Sequence, residues 1–181
     1  MTKYQSYTIN NIHKITQVQQ YLSEETRFHL KVVAHVLPFK VNNYVIEKLI
    51  DWSNIPNDPI YKLTFPQEAM LSKEDFEEMA VALRVTPKDK ALINKVANNI
   101  RIKLNPHPAG QSEYNVPLFE GEALEGIQHK YRETLLFFPS HGQTCHAYCS
   151  FCFRWPQFVG MEGLKFAAKE IDTLIKYLQK N

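Results

Sequence analysis

Cysteine occurs only within one eight-residue run, Cys145-His146-Ala147-Tyr148-Cys149-Ser150-Phe151-Cys152, at spacing C-x3-C-x2-C. A strand-like segment, Thr134 to Phe138, leads into the run, and a helix-patterned segment from Met161 to the C-terminus leads away from it. Three thiolates on one loop can converge on a single metal centre, and thiolate is the ligand that soft metals and iron–sulfur clusters select. Disulfide formation would leave one thiol over. A closed structural site takes four protein ligands, so three cysteines leave one position for something else. In a zinc site that fourth ligand would be His141 or His146, a Cys3His set. The usual zinc signature is two C-x2-C pairs or one such pair with two histidines, and a C-x3-C-x2-C run of three cysteines favours the iron–sulfur cluster over it.

The rest of the chain is ordinary for a soluble globular protein: 181 residues, 44% hydrophobic, 22% charged, a length suited to one domain. A net charge of +2 gives no nucleic-acid signal. No uninterrupted apolar run is long enough for a membrane span. The N-terminus lacks the apolar core of a signal peptide. Unpaired thiols without an export signal read as a cytoplasmic protein.

All six glycines lie at or after Gly110, which predicts a mostly helical N-terminal region. Apolar positions at Ile12, Ile15, Val18 and Leu22 follow the helical period. Ser23 before Glu24-Glu25 reads as the cap of a helix through Val33 that stops before Pro38. Asn42 or Asn43 caps a third helix, with Val45, Leu49 and Trp52 on one face and Ile46 and Ile50 widening it. Ile55 to Pro59 is a loop. Ser72 to Asp75 reads as a capping box ahead of Phe76 and Met79. Thr86-Pro87-Lys88-Asp89 reads as a cap, a proline at the first helical position and an acid at the third, opening a helix with Leu92, Val96 and Ile100 that reaches Leu104. Asn105 to Pro117 is a linker. His13, His29 and His35 sit singly on helix patterns and read as surface or packing residues.

From about Gly126 the pattern changes. Leu135 to Phe138 is continuously apolar, as expected of a parallel strand buried on both faces. Leu164, Ala167, Ala168, Ile171, Leu174, Ile175 and Leu178 form a stripe at helical spacing. Strand, loop and helix make one βα unit, and in α/β barrels chemistry sits on the loops after the strands. The fold class expected is α/β: a helical region over residues 1–118, then the start of a barrel domain over 119–181.

With an aromatic, Phe151, before the last cysteine, the cysteine spacing resembles the signature of radical S-adenosylmethionine (SAM) enzymes. The surroundings resemble the lysine 2,3-aminomutase branch: His129-Lys130-Tyr131, the apolar strand, Phe153-Arg154 and Phe158-Val159-Gly160. Upstream, Pro38-Phe39-Lys40-Val41-Asn42, Asn57-Asp58-Pro59-Ile60 and Phe65-Pro66 resemble that branch's N-terminal region. The resemblance implies a partial (β/α)6 barrel of which this chain holds the first βα unit. It also implies a [4Fe-4S] cluster on Cys145, Cys149 and Cys152, with SAM on the open iron, cleaved by one electron to a 5′-deoxyadenosyl radical. An electron donor such as flavodoxin or ferredoxin, and self-association into a homo-oligomer, are implied as partners.

The implied reaction is migration of an amino group between adjacent carbons of an amino acid. Phe151 would lie against the adenine of SAM; its alternative is core packing. Arg154 would pair with the substrate carboxylate; its alternative is a surface ion pair. The two arginines that take the phosphate of pyridoxal phosphate (PLP) fall at Lys130 and Thr134, so Lys130, with Arg132 compensating, would take it here. The glycine-rich SAM motif and the PLP lysine would lie past Asn181. The expectation is therefore a fragment or a chain completed by a partner, inactive alone, with a non-catalytic iron–sulfur subunit or a structural zinc protein as the alternatives.

Overall fold

The computed structural model describes residues 3–105, 113–139, 145, 147–149, 155 and 171–180. They divide into two compact units. One comprises residues 3–105 together with 145 and 147–149; the other comprises 113–139, 155 and 171–180.

The first unit is largely helical. A short antiparallel ribbon joins β1 (Ser6–Thr8) to β2 (Lys40–Asn42), pairing Tyr7 with Val41. The apolar stretch from Ile12 does not form one helix. It makes a 3-10 turn over Ile12–Lys14 and then α1 (Thr16–Tyr21), because Ile15 between them is extended. Helix α2 (Glu24–Val36) is capped as expected, with the Ser23 hydroxyl accepting from the Thr26 N–H at 3.1 Å. Helices α3 (Pro59–Thr64), α4 (Lys73–Val85) and α5 (Lys90–Leu104) follow. Ser72 caps α4, accepting from the Asp75 N–H at 3.1 Å.

Two expectations are corrected here. The cap of α5 is Asp89, which accepts from the Leu92 N–H at 2.9 Å. Thr86 instead turns its hydroxyl back to the Ala82 carbonyl at 3.0 Å and so serves the end of α4. The buried face of α5 is accordingly Ile93, Ala97 and Ile100, with Leu92 exposed. The second correction concerns the segment after Asn42, which caps it by accepting from the Val45 N–H at 3.0 Å. Val45–Leu49 is a π-helical turn, and Trp52–Asn54 is a separate 3-10 turn. The wider π turn moves the apolar face by one residue: Ile46, Ile50 and Trp52 are buried and Leu49 is exposed.

Helix α2 is the shared wall of the unit. Leu30 and Ala34 face one cluster, with Val18, Phe39, Ile46, Trp52, Tyr61 and Phe65. Val32, Val33 and Val36 face a second, with Phe76 and Met79 of α4 and Ile93 and Ile100 of α5. Aromatic rings organise the first cluster. Phe65 is fully buried, stacks on Tyr61 at 4.8 Å between centroids, and meets Phe39 at 4.9 Å and Trp52 edge-on at 5.7 Å. Burial pushes the Tyr61 phenol up to about 12. The Trp52 indole N–H donates to the Ile46 carbonyl at 2.8 Å. Buried Asp58 caps α3 through the Tyr61 N–H at 2.6 Å and also accepts from the Asp51 N–H.

The second unit holds two small hairpins, β3 (Leu118–Phe119) with β4 (Glu122–Ala123) and β5 (Ile127–Tyr131) with β6 (Thr134–Phe137), and a C-terminal helix, α6 (Ile171–Lys180). The expected parallel strand is corrected: β6 pairs antiparallel with β5, Ile127 opposite Phe137 and Tyr131 opposite Thr134. The turn at Arg132-Glu133 returns the chain directly onto β5. A two-stranded ribbon cannot cover both faces, so Leu135 and Phe137 turn toward Ile127, Leu174 and Tyr177 while Leu136 stays exposed. All strand pairs among the described residues are antiparallel, and they build a mixed helix-and-ribbon α/β structure without a closed barrel. Of the expected C-terminal apolar stripe, Leu164, Ala167 and Ala168 lie outside the described residues. Ile171, Ile175 and Leu178 are exposed, and Leu174 packs on the hairpin. Among the described residues no helix is long and apolar enough to cross a membrane.

Two predictions follow from the packing of the first unit. Phe65→Ala, emptying a fully buried aromatic site, should destabilise the chain by about 3–5 kcal/mol in urea unfolding; a loss below about 1 kcal/mol would contradict its place in the core. The second is a pH dependence. Asp75, buried beside Lys103 Nζ at 2.8 Å, is held below the usual carboxylate range, first by that hydrogen bond and then by the Ser72 hydroxyl, against burial. A depressed folded value means stability present above the unfolded carboxylate range and lost as pH falls through the folded value. The urea midpoint of the native chain should exceed that of Asp75→Asn at neutral pH, and the gap should close on acidification. A gap independent of pH would contradict it.

Candidate metal centre

The cysteine loop is positioned by helix ends. The last carbonyls of a helix have no partner within it and must find one elsewhere. At the end of α2, Arg101 of α5 takes two of them, His35 O at 2.9 Å and Val36 O at 2.7 Å. The next two, Leu37 O and Pro38 O, share the hydroxyl proton of Tyr148 at 3.1 and 3.2 Å. At the end of α3, Leu63 O accepts the Tyr148 backbone N–H at 2.7 Å. Tyr148 is thus tied by both its backbone and its tip to two different helix ends. Burial, and then the charge of the neighbouring Cys145 thiolate, hold its phenol well above the ordinary tyrosine range, so it stays protonated and donating.

Cys145 and Cys149 flank this anchor. Both are exposed and neither is in a disulfide. The Cys145 Sγ lies 3.3 Å from the carbonyl of Ala147, the residue next to Tyr148. Cys152, the third expected ligand, and Phe151 and Arg154 lie outside the described residues, as do His141 and His146. Among the described residues no group of three or more metal-ligating side chains converges. The donors that are described suit a soft metal: two accessible thiols, four residues apart in sequence, on either side of an anchored residue.

Lys130 and Arg132 occupy the far end of the β5–β6 hairpin in the other unit, and both are exposed. The Lys130 amine lies over the ring of Tyr131, 5.2 Å from its centroid. His129 turns inward instead: its Nδ1 is 2.6 Å from the hydroxyl of buried Tyr177, which ties the hairpin to α6. Two of the singly placed histidines of the first unit have structural partners, His29 Nδ1 with Glu68 at 2.7 Å and His35 Nδ1 with the Lys31 carbonyl at 2.7 Å.

The residue that sequence reasoning passed over is Tyr148. Its only advance signal is an aromatic hydroxyl inside the metal-binding spacing; its partners are backbone carbonyls that no side-chain pattern announces.

In comparisons with known proteins, the chain matches no family model, no curated protein and no solved structure. The exposure of Cys145 and Cys149 generates a direct prediction. Both should be alkylated by iodoacetamide in the folded, metal-free chain within a factor of about ten of an unstructured cysteine peptide at the same pH. Labelling only after denaturant is added would contradict the exposure.

Proposed function

We propose that this chain carries the cluster-binding loop of a radical SAM protein of the lysine 2,3-aminomutase type, in which Cys145, Cys149 and Cys152 hold three corners of a [4Fe-4S] cluster. The observation that carries the reading is the loop itself. It contains all the cysteines of the chain, and the two described ones are exposed, unpaired and set on either side of an anchored residue. When bound, a cluster with SAM at its open corner supplies one-electron cleavage of SAM and a hydrogen-abstracting radical.

The chain's own residues bind and orient. The three thiolates fix the cluster and, being only three, leave one iron for an outside ligand. Phe151 offers a flat apolar face for the adenine ring. Arg154 offers a planar two-pronged donor for the carboxylate of an amino acid substrate whose amino group migrates to the adjacent carbon. PLP fits less well. Lys130 and Arg132 are both exposed on a hairpin end, and exposed cations alone do not shelter a phosphate from water.

The test is anaerobic reconstitution of the native chain and of Cys145→Ala, Cys149→Ala and Cys152→Ala, followed by iron and sulfide analysis. The native chain should take up a cluster and each variant should fall to background. Full occupancy in any one variant would remove that cysteine from the ligand set. One zinc per chain with no iron uptake would replace the cluster with the Cys3His zinc reading.

A further inference from the structure

Resting on the iron–sulfur reading above, we propose that Tyr148 is the positioning residue of the metal centre: it clamps the cysteine loop onto the ends of α2 and α3 and so fixes where Cys145 and Cys149 present their thiols.

A loop that must hold three thiolates toward one point gains affinity when it is ordered before the metal arrives, because less conformational entropy is lost on binding. A single hydrogen bond leaves a residue free to swing about it. Tyr148 is held at both ends: its N–H by Leu63 O at 2.7 Å, its hydroxyl by Leu37 O and Pro38 O at 3.1 and 3.2 Å. Rotation of the ring out of this seat would break the hydroxyl contact, and translation of the backbone would break the amide contact. The amide that is fixed lies one residue before Cys149, so the start of that ligand's backbone is fixed with it. Cys145 reaches the Ala147 carbonyl with its Sγ at 3.3 Å, which sets it against the residue beside Tyr148.

The seat is itself rigid. Leu37 and Pro38 run directly into Phe39, whose ring packs on Phe65 in the aromatic cluster. Leu63 lies in α3 between Tyr61 and Phe65, which stack on one another. The clamp therefore ties the loop to the aromatic cluster of the first unit. It also explains why a half-buried tyrosine stands between two exposed cysteines: the hydroxyl and amide both answer helix carbonyls that would otherwise lack partners. A residue kept only for apolar packing would not need the hydroxyl. The clamp assigns the helical first unit a role in the proposed chemistry, as the platform against which the metal-binding loop is set.

Tyr148→Phe is the discriminating variant, since it keeps the ring and the backbone N–H and removes only the shared proton. In the metal-free chain, amide hydrogen exchange at Tyr148 should be protected in the native protein and about tenfold faster in Tyr148→Phe, the scale expected for one lost hydrogen bond. After cluster reconstitution, iron and sulfide content should be equal in the two proteins. Loss of iron to an excess chelator should be about tenfold faster in the variant. Met79→Ala, which destabilises the second apolar cluster and leaves the aromatic seat intact, is the control for a merely structural effect. Equal amide exchange in native and variant protein would overturn the clamp. Faster exchange with unchanged iron loss, or equally fast iron loss in Met79→Ala, would overturn the positioning role. Failure of the native chain to take up any cluster would overturn the iron–sulfur reading instead, and the exchange measurement on metal-free protein would still decide the clamp.

Discussion

The carbonyl groups at the end of α2 need partners, and the way they find them ties the first unit together. Val33 O is used by the Leu37 N–H inside the helix's own last turn. His35 O and Val36 O are taken by Arg101, reaching across from α5, and Leu37 O and Pro38 O by Tyr148 of the cysteine loop. Burial lowers the Arg101 value from its ordinary one, the cost of bringing a guanidinium close to a helix packed on both faces. That cost is offset by charge-assisted hydrogen bonds at the negative end of the helix dipole, where a cation is favoured. One helix terminus thus fixes α5 and the candidate metal loop in the same register.

The two apolar clusters sit on opposite faces of α2, so the helix cannot shift without disturbing both. Segments 38–42, 57–60 and 65–66 contribute Phe39, Val41, Ile60 and Phe65 to the first of them. Phe39 and Phe65 are in contact, and Asp58 caps the helix that carries Tyr61 and Phe65. Their shared product is the seat for Tyr148. In the proposed function, what those segments contribute is a floor under the thiols, and the chemistry remains with the cysteine loop.

What could be read from the sequence was whatever is encoded by neighbours along the chain. Ser23 and Ser72 cap α2 and α4 because a cap bonds to a backbone N–H three residues on, and that geometry depends on little else. Asp89 displaced Thr86 as the cap of α5 because two candidate caps stood in one short loop, and Thr86 was claimed by the preceding helix. The period-3.6 reading after Asn42 missed by one residue because the turn there is π, a backbone choice that its apolar residues do not reveal. The parallel strand failed for a related reason. An unbroken apolar run is compatible with burial on both faces, whereas Arg132-Glu133 lacks the Gly or Asn-Gly that would have signalled a hairpin. In the candidate site, type and spacing mark the cysteines as a candidate ligand set. Their platform was not, since the Tyr148 hydroxyl reaches a carbonyl 111 residues away.

The central claim is that three thiolates on this loop leave one iron of a cluster open to SAM. Its most direct measurement is pulsed electron–nuclear double resonance on the reduced, reconstituted chain with SAM labelled at its amino nitrogen and carboxylate oxygens. The account predicts hyperfine coupling from both labels, present in the native chain and absent when SAM is omitted. A reduced cluster with no coupling to either label, while bound SAM is demonstrated separately, would contradict it.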